Sequence, residues 1–358
     1  MVYFGVSAAL TAIGMVLFAD GASRTKNAWY LTGSFLLLYL LAALRAPSVG
    51  TDFPTYLEQF RQATKPLAIV VQTSRFEWGY LLFSKCLGAV SVNSVWFTAV
   101  TSGCILLPIA LLISRYSKMV WLSVCLFASL LFYAMSMTAI RQYLALAILL
   151  CGLPLLQKSR LLFCLVVLAA ASFHATALLF LLVPLLYTVR FTRRSVLLLA
   201  AAGMGAFLAA DGIIDVIGSV FPRYALYRFG SYHTGLHLFS FVKLALFGAV
   251  LLLSWACGYD RRLSIEHRPN TELLCGCLAF LLTLLEIQAT VYDRAVDYFA
   301  IFIIILLPNV LSDIRDKHAR LLGIWVAVAG SFAYEAVVLW FRGAWYHVMP
   351  YAFFFSRQ

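Results

Sequence analysis

The residues able to do chemistry in this chain fall in a few short polar stretches, set in a sequence that is 63% hydrophobic and 12% charged. Arg141-Gln142 follows Met135-Ser136-Met137-Thr138 and opens an apolar run. An arginine and a glutamine at a helix N-terminus suit a phosphate oxygen, because orphan backbone N–H groups and the guanidinium fork point at the same anion. The plainer alternative is an arginine that snorkels to lipid headgroups. His174 lies between apolar flanks, where a core histidine bonded to a neighbouring helix and a general base or substrate hydrogen bond are both open. A metal role is the weakest, since no second His or carboxylate stands at ligand spacing. Tyr292-Asp293-Arg294, with Asp297 and Tyr298, reads either as an ion pair neutralising a tight turn or as a second cation oriented by a carboxylate. The loop from Arg45 through Gly50-Thr51-Asp52 to Tyr56, Glu58 and Arg61, and the Glu77-Trp78-Gly79-Tyr80 stretch, add further ionisable groups. Glu286 and Glu335 fall inside apolar runs, an expensive placement that calls for a partner in the bundle or a cavity.

The elements that must position these groups are membrane helices. A mean hydropathy of +0.92 excludes a soluble domain, which carries about twice this share of charge. Apolar runs at 3–19, 28–44, 95–114, 117–135, 140–157, 195–211, 240–257, 272–290, 296–312 and 321–340 are each long enough to cross a hydrocarbon core of about 30 Å. Their continuity implies helices and not barrel strands. The expectation is an all-α polytopic integral membrane protein of about 11 to 13 transmembrane helices, in one membrane domain over 1–358. The first run lacks a basic flank and is read as a retained helix instead of a cleaved signal. The eight cysteines fall almost entirely in apolar runs and read as packing residues; Cys275-Gly276-Cys277 is too short and buried for a zinc site.

The net charge of +12 comes from dispersed loop residues and gives no nucleic-acid footprint. Assigning Arg24, Lys26, Arg115, Lys118, Lys158, Arg160, Arg190, Arg193, Arg194, Arg261, Arg262, Arg268, Arg315, Lys317 and Arg320 to the cytoplasmic side satisfies the positive-inside bias. Segment 76–92 then begins and ends outside, as an interfacial or re-entrant helix within an extracytoplasmic stretch 45–93. Segment 160–189 begins and ends inside, as two short helices broken near Ser172-Phe173-His174-Ala175-Thr176. The alternative makes 76–92 a full crossing and 160–189 one tilted helix, and leaves basic loops outside. The preferred arrangement gathers Arg45, Asp52, Tyr56, Glu77, Arg141, Gln142, His174, Arg294 and Tyr298 on the outer face. An external loop at 211–239, with Arg223, Arg228, Tyr232 and His233, suits carbohydrate rings and phosphates, or an interfacial aromatic belt.

Arg45 with Val49-Gly50-Thr51-Asp52, Glu77-Trp78-Gly79-Tyr80, Ile140-Arg141-Gln142-Tyr143-Leu144-Ala145, Ser172-Phe173-His174-Ala175-Thr176-Ala177, Arg294 with Asp297-Tyr298-Phe299, and Pro350-Tyr351 resemble, in that order, the EpsG-type branch of the Wzy polysaccharide polymerases. Thr176 stands where that family often has Ser, and neither 211–239 nor the tail beyond Trp340 contributes to the likeness apart from that terminal pair. The resemblance implies a multi-pass protein of the bacterial inner membrane and a polymerase that needs no cofactor. Such an enzyme transfers a growing glycan from undecaprenyl pyrophosphate to a sugar hydroxyl of the next lipid-linked repeat unit, on the extracytoplasmic side. Its partners would be the lipid-linked donor and acceptor, the bilayer and a chain-length regulator. In that frame Arg141 and Arg294, with Arg45 as a third cation, bind pyrophosphate. His174, Asp52 or Glu77 deprotonates or orients the acceptor, and Tyr56, Gln142 and Tyr298 position sugars. Arginine clamps can stabilise a pyrophosphate leaving group without a metal. A flippase would spread charge along a path to both faces, an O-antigen ligase would share the arginine logic with another acceptor, and a membrane acyltransferase would need a partner for His174.

Overall fold

The computed structural model describes residues 2–19, 21–187, 193–220, 238–261, 270–289, 292–341 and 346–355. In chain order its helices are α1 (Val2–Leu17), α2 (Arg24–Ala43), α3 (Phe53–Arg61), α4 (Leu67–Thr73), α5 (Trp78–Val90), α6 (Ser94–Tyr116), α7 (Val120–Ser129), α8 (Phe132–Thr138), α9 (Ile140–Lys158) and α10 (Arg160–Ala171). They continue as α11 (Leu182–Leu186), α12 (Arg193–Leu208), α13 (Ala210–Val220), α14 (Leu238–Ala256), α15 (Thr271–Glu286), α16 (Asp293–Ala300), α17 (Ile303–Ser312) and α18 (Lys317–Phe341). The described residues hold no strand, only an isolated antiparallel bridge between Arg45 and Phe353. An apolar surrounding offers backbone groups no outside partner, which favours helices that satisfy their own.

Five stretches among the described residues are long and apolar enough to cross a membrane: α6, α9, α14, the α16–α17 run and α18. A sixth is the pair α7 and α8, bent by 53°. The bend falls at Leu131, whose φ of 66° is the left-handed backbone that a leucine rarely adopts. Of the other expected runs, α1, α12 and α15 have 16 residues each, whereas α2 has 20 and opens on polar residues. Ser23 accepts the Lys26 N–H at the start of α2, and Ser159 accepts the Leu162 N–H to separate α10 from α9.

Two stretches of ambiguous sequence are settled in length. With 13 residues, α5 spans roughly 20 Å, short of a crossing. The run 160–189 breaks after Ala171, resumes as a 3-10 turn at Ala175–Leu181, and passes into α11. Residues 211–220, expected to begin a loop, belong to α13 instead. The rest of that loop, with Arg223, Arg228, Tyr232 and His233, lies outside the described residues, as do Arg190, Arg262 and Arg268.

The chain divides into two compact units, Met1–Leu178 with Ile314–Gln358, and Leu179–Asp313. In the first, α9 packs on α10 and α6, α2 on α6, and α1 and α18 on α7. In the second, α15 is central and packs against α12, α14 and α16.

Candidate active site

The polar residues of the first unit gather where a helix is interrupted. Between α8 and α9, Ala139 leaves helical geometry at φ −95°, ψ 57°. An interruption leaves carbonyls without intrahelical donors, and in an apolar surrounding they need another partner. Arg45 supplies one. Its Nη1 donates to Ala42 O at 2.6 Å near the end of α2, and its Nη2 donates to Met137 O at 3.3 Å near the end of α8. The guanidinium also lies 4.3 Å from the centroid of the Phe53 ring. Arg45 is 3% exposed, and desolvation lowers its pKa to about 10, which leaves it cationic at neutral pH. It therefore caps two helix C-termini, where positive charge is favoured.

The loop that carries Arg45 closes on the same junction. Gly50 has φ +110°, and a Cβ there would stand 2.9 Å from Met137 O, so both conformation and space require glycine. The C-terminal segment joins in. Gly50 N–H donates to His347 O at 2.9 Å, Thr51 N–H to Tyr346 O at 3.0 Å, Ala46 N–H to Ala352 O at 2.8 Å, and Thr138 Oγ1 to Tyr346 O at 3.1 Å. Asp52, half-buried, stands just ahead of α3, whose first turn holds Pro54. Proline fits there because its missing N–H costs nothing.

Arg141 sits in the first turn of α9 and forms an ion pair with Glu77, which occupies the N-cap position of α5. The side chains are only 13% and 9% exposed, so the pair is held in low dielectric, where breaking it is costly. The guanidinium stacks over Phe76, 4.2 Å from its centroid, and lies 5.9 Å from that of Tyr56. Its Nε–H is buried without a hydrogen-bond acceptor, so donor capacity remains. Tyr56 packs in turn against Phe76 and Tyr80, with ring centroids 5.7 and 5.8 Å away.

Glu77 reaches a second partner. Its Oε1 accepts the Ala175 N–H at 3.3 Å, and two residues on Gly79 N–H donates to Ser172 O at 2.9 Å. A Cβ on Gly79 would lie 2.7 Å from that carbonyl oxygen. Two motifs far apart in sequence thus form one piece of structure, with glycine allowing the approach. His174 is buried there, its Nδ1 2.6 Å from Thr176 Oγ1. Gln142, also buried, follows Arg141 on α9.

Of the residues singled out in the sequence, Glu77, Arg141 and Tyr56 are in mutual contact or paired. His174 is held beside them through Ala175, while Arg45 donates to two helix-end carbonyls and to Ser102 Oγ of α6 at 3.4 Å. Arg294 and Tyr298 belong to the second unit, on α16, where Arg294 is half-buried and Tyr298 fully buried. That unit has its own ionic cluster. Lys243 Nζ donates to Glu286 Oε1 at 3.0 Å and pairs with Asp293, and Ser240 Oγ donates to Glu286 Oε1 at 2.9 Å. Glu335, in the first unit, accepts from Ser7 Oγ at 3.0 Å.

Sequence reading assigned no role to Phe76 or Lys243, and of the C-terminal segment it marked only Pro350-Tyr351. A lone lysine in an apolar helix is a usable signal for Lys243, because Glu286 needs a cation. Phe76 gives no such signal. Among the described residues no group of three His, Cys, Asp or Glu side chains is arranged to hold a metal ion.

Fold and site define a polytopic helical membrane protein with a nearly dry arginine–carboxylate pair set against a helix break. The profile of the EpsG family matches residues 28–353, almost the whole length, and the chain belongs to that family. Membership points to polysaccharide biosynthesis in a membrane and to a function of the polymerase type. The chain matches no curated protein and no solved structure.

Proposed function

We propose that the protein is a glycan polymerase of the bacterial inner membrane. It moves a growing chain from a polyprenyl pyrophosphate to a hydroxyl of the next lipid-linked repeat unit, on the extracytoplasmic side. The C–O bond to the pyrophosphate breaks, a glycosidic bond forms, and the acceptor proton leaves with a base. The observation that carries this reading is Arg141, held against Glu77 and Phe76 at the start of α9 with an unused Nε–H. A fixed guanidinium in a water-poor setting is what a departing pyrophosphate needs.

Glu77 positions that guanidinium and the 172–176 break, because its oxygens are engaged by Arg141 and the Ala175 amide. His174 is the base. It is buried beside the break, its ring is oriented by the contact between Nδ1 and Thr176 Oγ1, and an imidazole is the side chain suited to taking a hydroxyl proton near neutral pH. Asp52 is the second choice, Tyr56 and Gln142 contact sugar, and Arg45 acts by holding Met137. The test is to delete the gene and resolve surface polysaccharide on a gel. Loss of the ladder with a single repeat unit retained supports polymerisation. Loss of every repeat unit indicates a ligase or flippase and overturns the reading.

A further inference from the structure

Further along α9 from Arg141, the first unit carries an open apolar groove of about 450 Å³, within the range of small-molecule sites, about 300–1,000 Å³. One wall is a stripe of α9: Leu144, Ile148, Cys151 and Leu155. Their spacing places them on one helix face, and Arg141, three residues before Leu144, starts the same stripe. Cys104 of α6 lines the groove from another side, and Phe173, the residue before His174, lines it as well. The polar cluster and the groove are therefore consecutive along one helix, cationic group first and carbon-lined space after it.

We infer that this groove holds the first isoprene units of a polyprenyl pyrophosphate whose head lies at Arg141. The inference rests on the proposed function and adds a tail site to it. An amphiphile with an anionic head and an apolar chain matches the order of groups along α9, from Arg141 to Leu144, Ile148, Cys151 and Leu155. Small side chains at Cys104, Cys151 and Gly152 leave width for methyl branches.

Two native thiols report on occupancy. Cys86, Cys104 and Cys151 are all exposed, but only Cys104 and Cys151 line the groove, which makes Cys86 the control. The full-length protein in phosphatidylcholine nanodiscs is treated with a membrane-permeant maleimide, and alkylation of each cysteine is followed by peptide mass spectrometry. Added undecaprenyl pyrophosphate should slow Cys104 and Cys151 severalfold and leave Cys86 unchanged, whereas inorganic pyrophosphate should protect neither. Equal protection by phosphatidylglycerol at the same mole fraction would mean that any lipid chain fills the space, and would overturn the inference; so would no protection at all. Cys151→Phe fills the groove and should abolish protection of Cys104. Persistent protection in that variant, with Cys86 alkylated normally, would place the chain elsewhere. A negative result here leaves the polymerase reading intact, because that reading is judged by the ladder of the deletion strain.

Discussion

Both units bury a cation paired with carboxylate, one in the first and two in the second, yet the two clusters are built differently. In the first, Arg141 meets one carboxylate, two aromatic rings and a backbone break, and keeps an N–H to spare. In the second, Lys243 is shared between Glu286 and Asp293, with Ser240 adding a further bond to Glu286. A compact ammonium between two carboxylates is saturated by its own protein. A planar guanidinium with one carboxylate can still take an anion. The difference is that the first cluster combines an ion pair, irregular backbone and a spare N–H, and that combination is the basis of the role proposed for Arg141.

The largest effect should come from Arg141→Ala, which removes the guanidinium. Polymer formed per folded protein should fall by about 10²–10³-fold, the loss expected for one transition-state donor; pulse-labelled polysaccharide measures it, normalised to the amount of folded protein because Glu77 also loses its cation. Lys243→Met should act in the opposite manner. It leaves buried Glu286 and half-buried Asp293 without their cation, costs up to about 3–5 kcal/mol, and lowers the amount of folded protein in membranes while activity per folded protein is kept. Adding Glu286→Gln should restore part of that level, since one of the uncompensated charges is gone. If Lys243→Met instead left folding intact and stopped polymerisation, the contrast between the clusters would collapse.

Much of the first cluster was legible in the sequence, because local signals marked it. The short α5 and the break at 172–176 followed from loop charge and span length, and an expensive Glu286 implied a partner. The partners themselves were not legible. Periodicity fixes which face a residue takes, but not which distant residue meets it, so the bond from Glu77 to the Ala175 amide had to come from the fold. Arg45 illustrates the same limit: its residue type suggested an anion site, and its surroundings give it two helix ends to cap. Pro350-Tyr351 stood out in the segment 346–355, but its docking did not, since backbone bonds hold the segment to residues 46–51 and backbone groups carry no sequence signature.

Smaller changes sharpen the picture. Gly50→Ala forces a side chain into positive φ against Met137 O, at a cost of about 1–3 kcal/mol. It should lower the melting temperature of the purified protein and also reduce polymer, because the same junction places Arg141. Thr176→Val removes the hydroxyl on His174 and should slow polymerisation by about tenfold, roughly the worth of one hydrogen bond, while Thr176→Ser should leave it near the parent rate. Equal activity in the Val and Ser variants would remove the orienting role of Thr176.

The most direct measurement is the polysaccharide ladder of cells carrying Arg141→Lys at parental protein level. Lysine keeps the positive charge and its pairing with Glu77 but loses the planar fork and its stacking on Phe76. The account predicts single repeat units and no ladder. A ladder of normal length would show that charge alone suffices, and would contradict the claim that a fixed guanidinium receives the pyrophosphate.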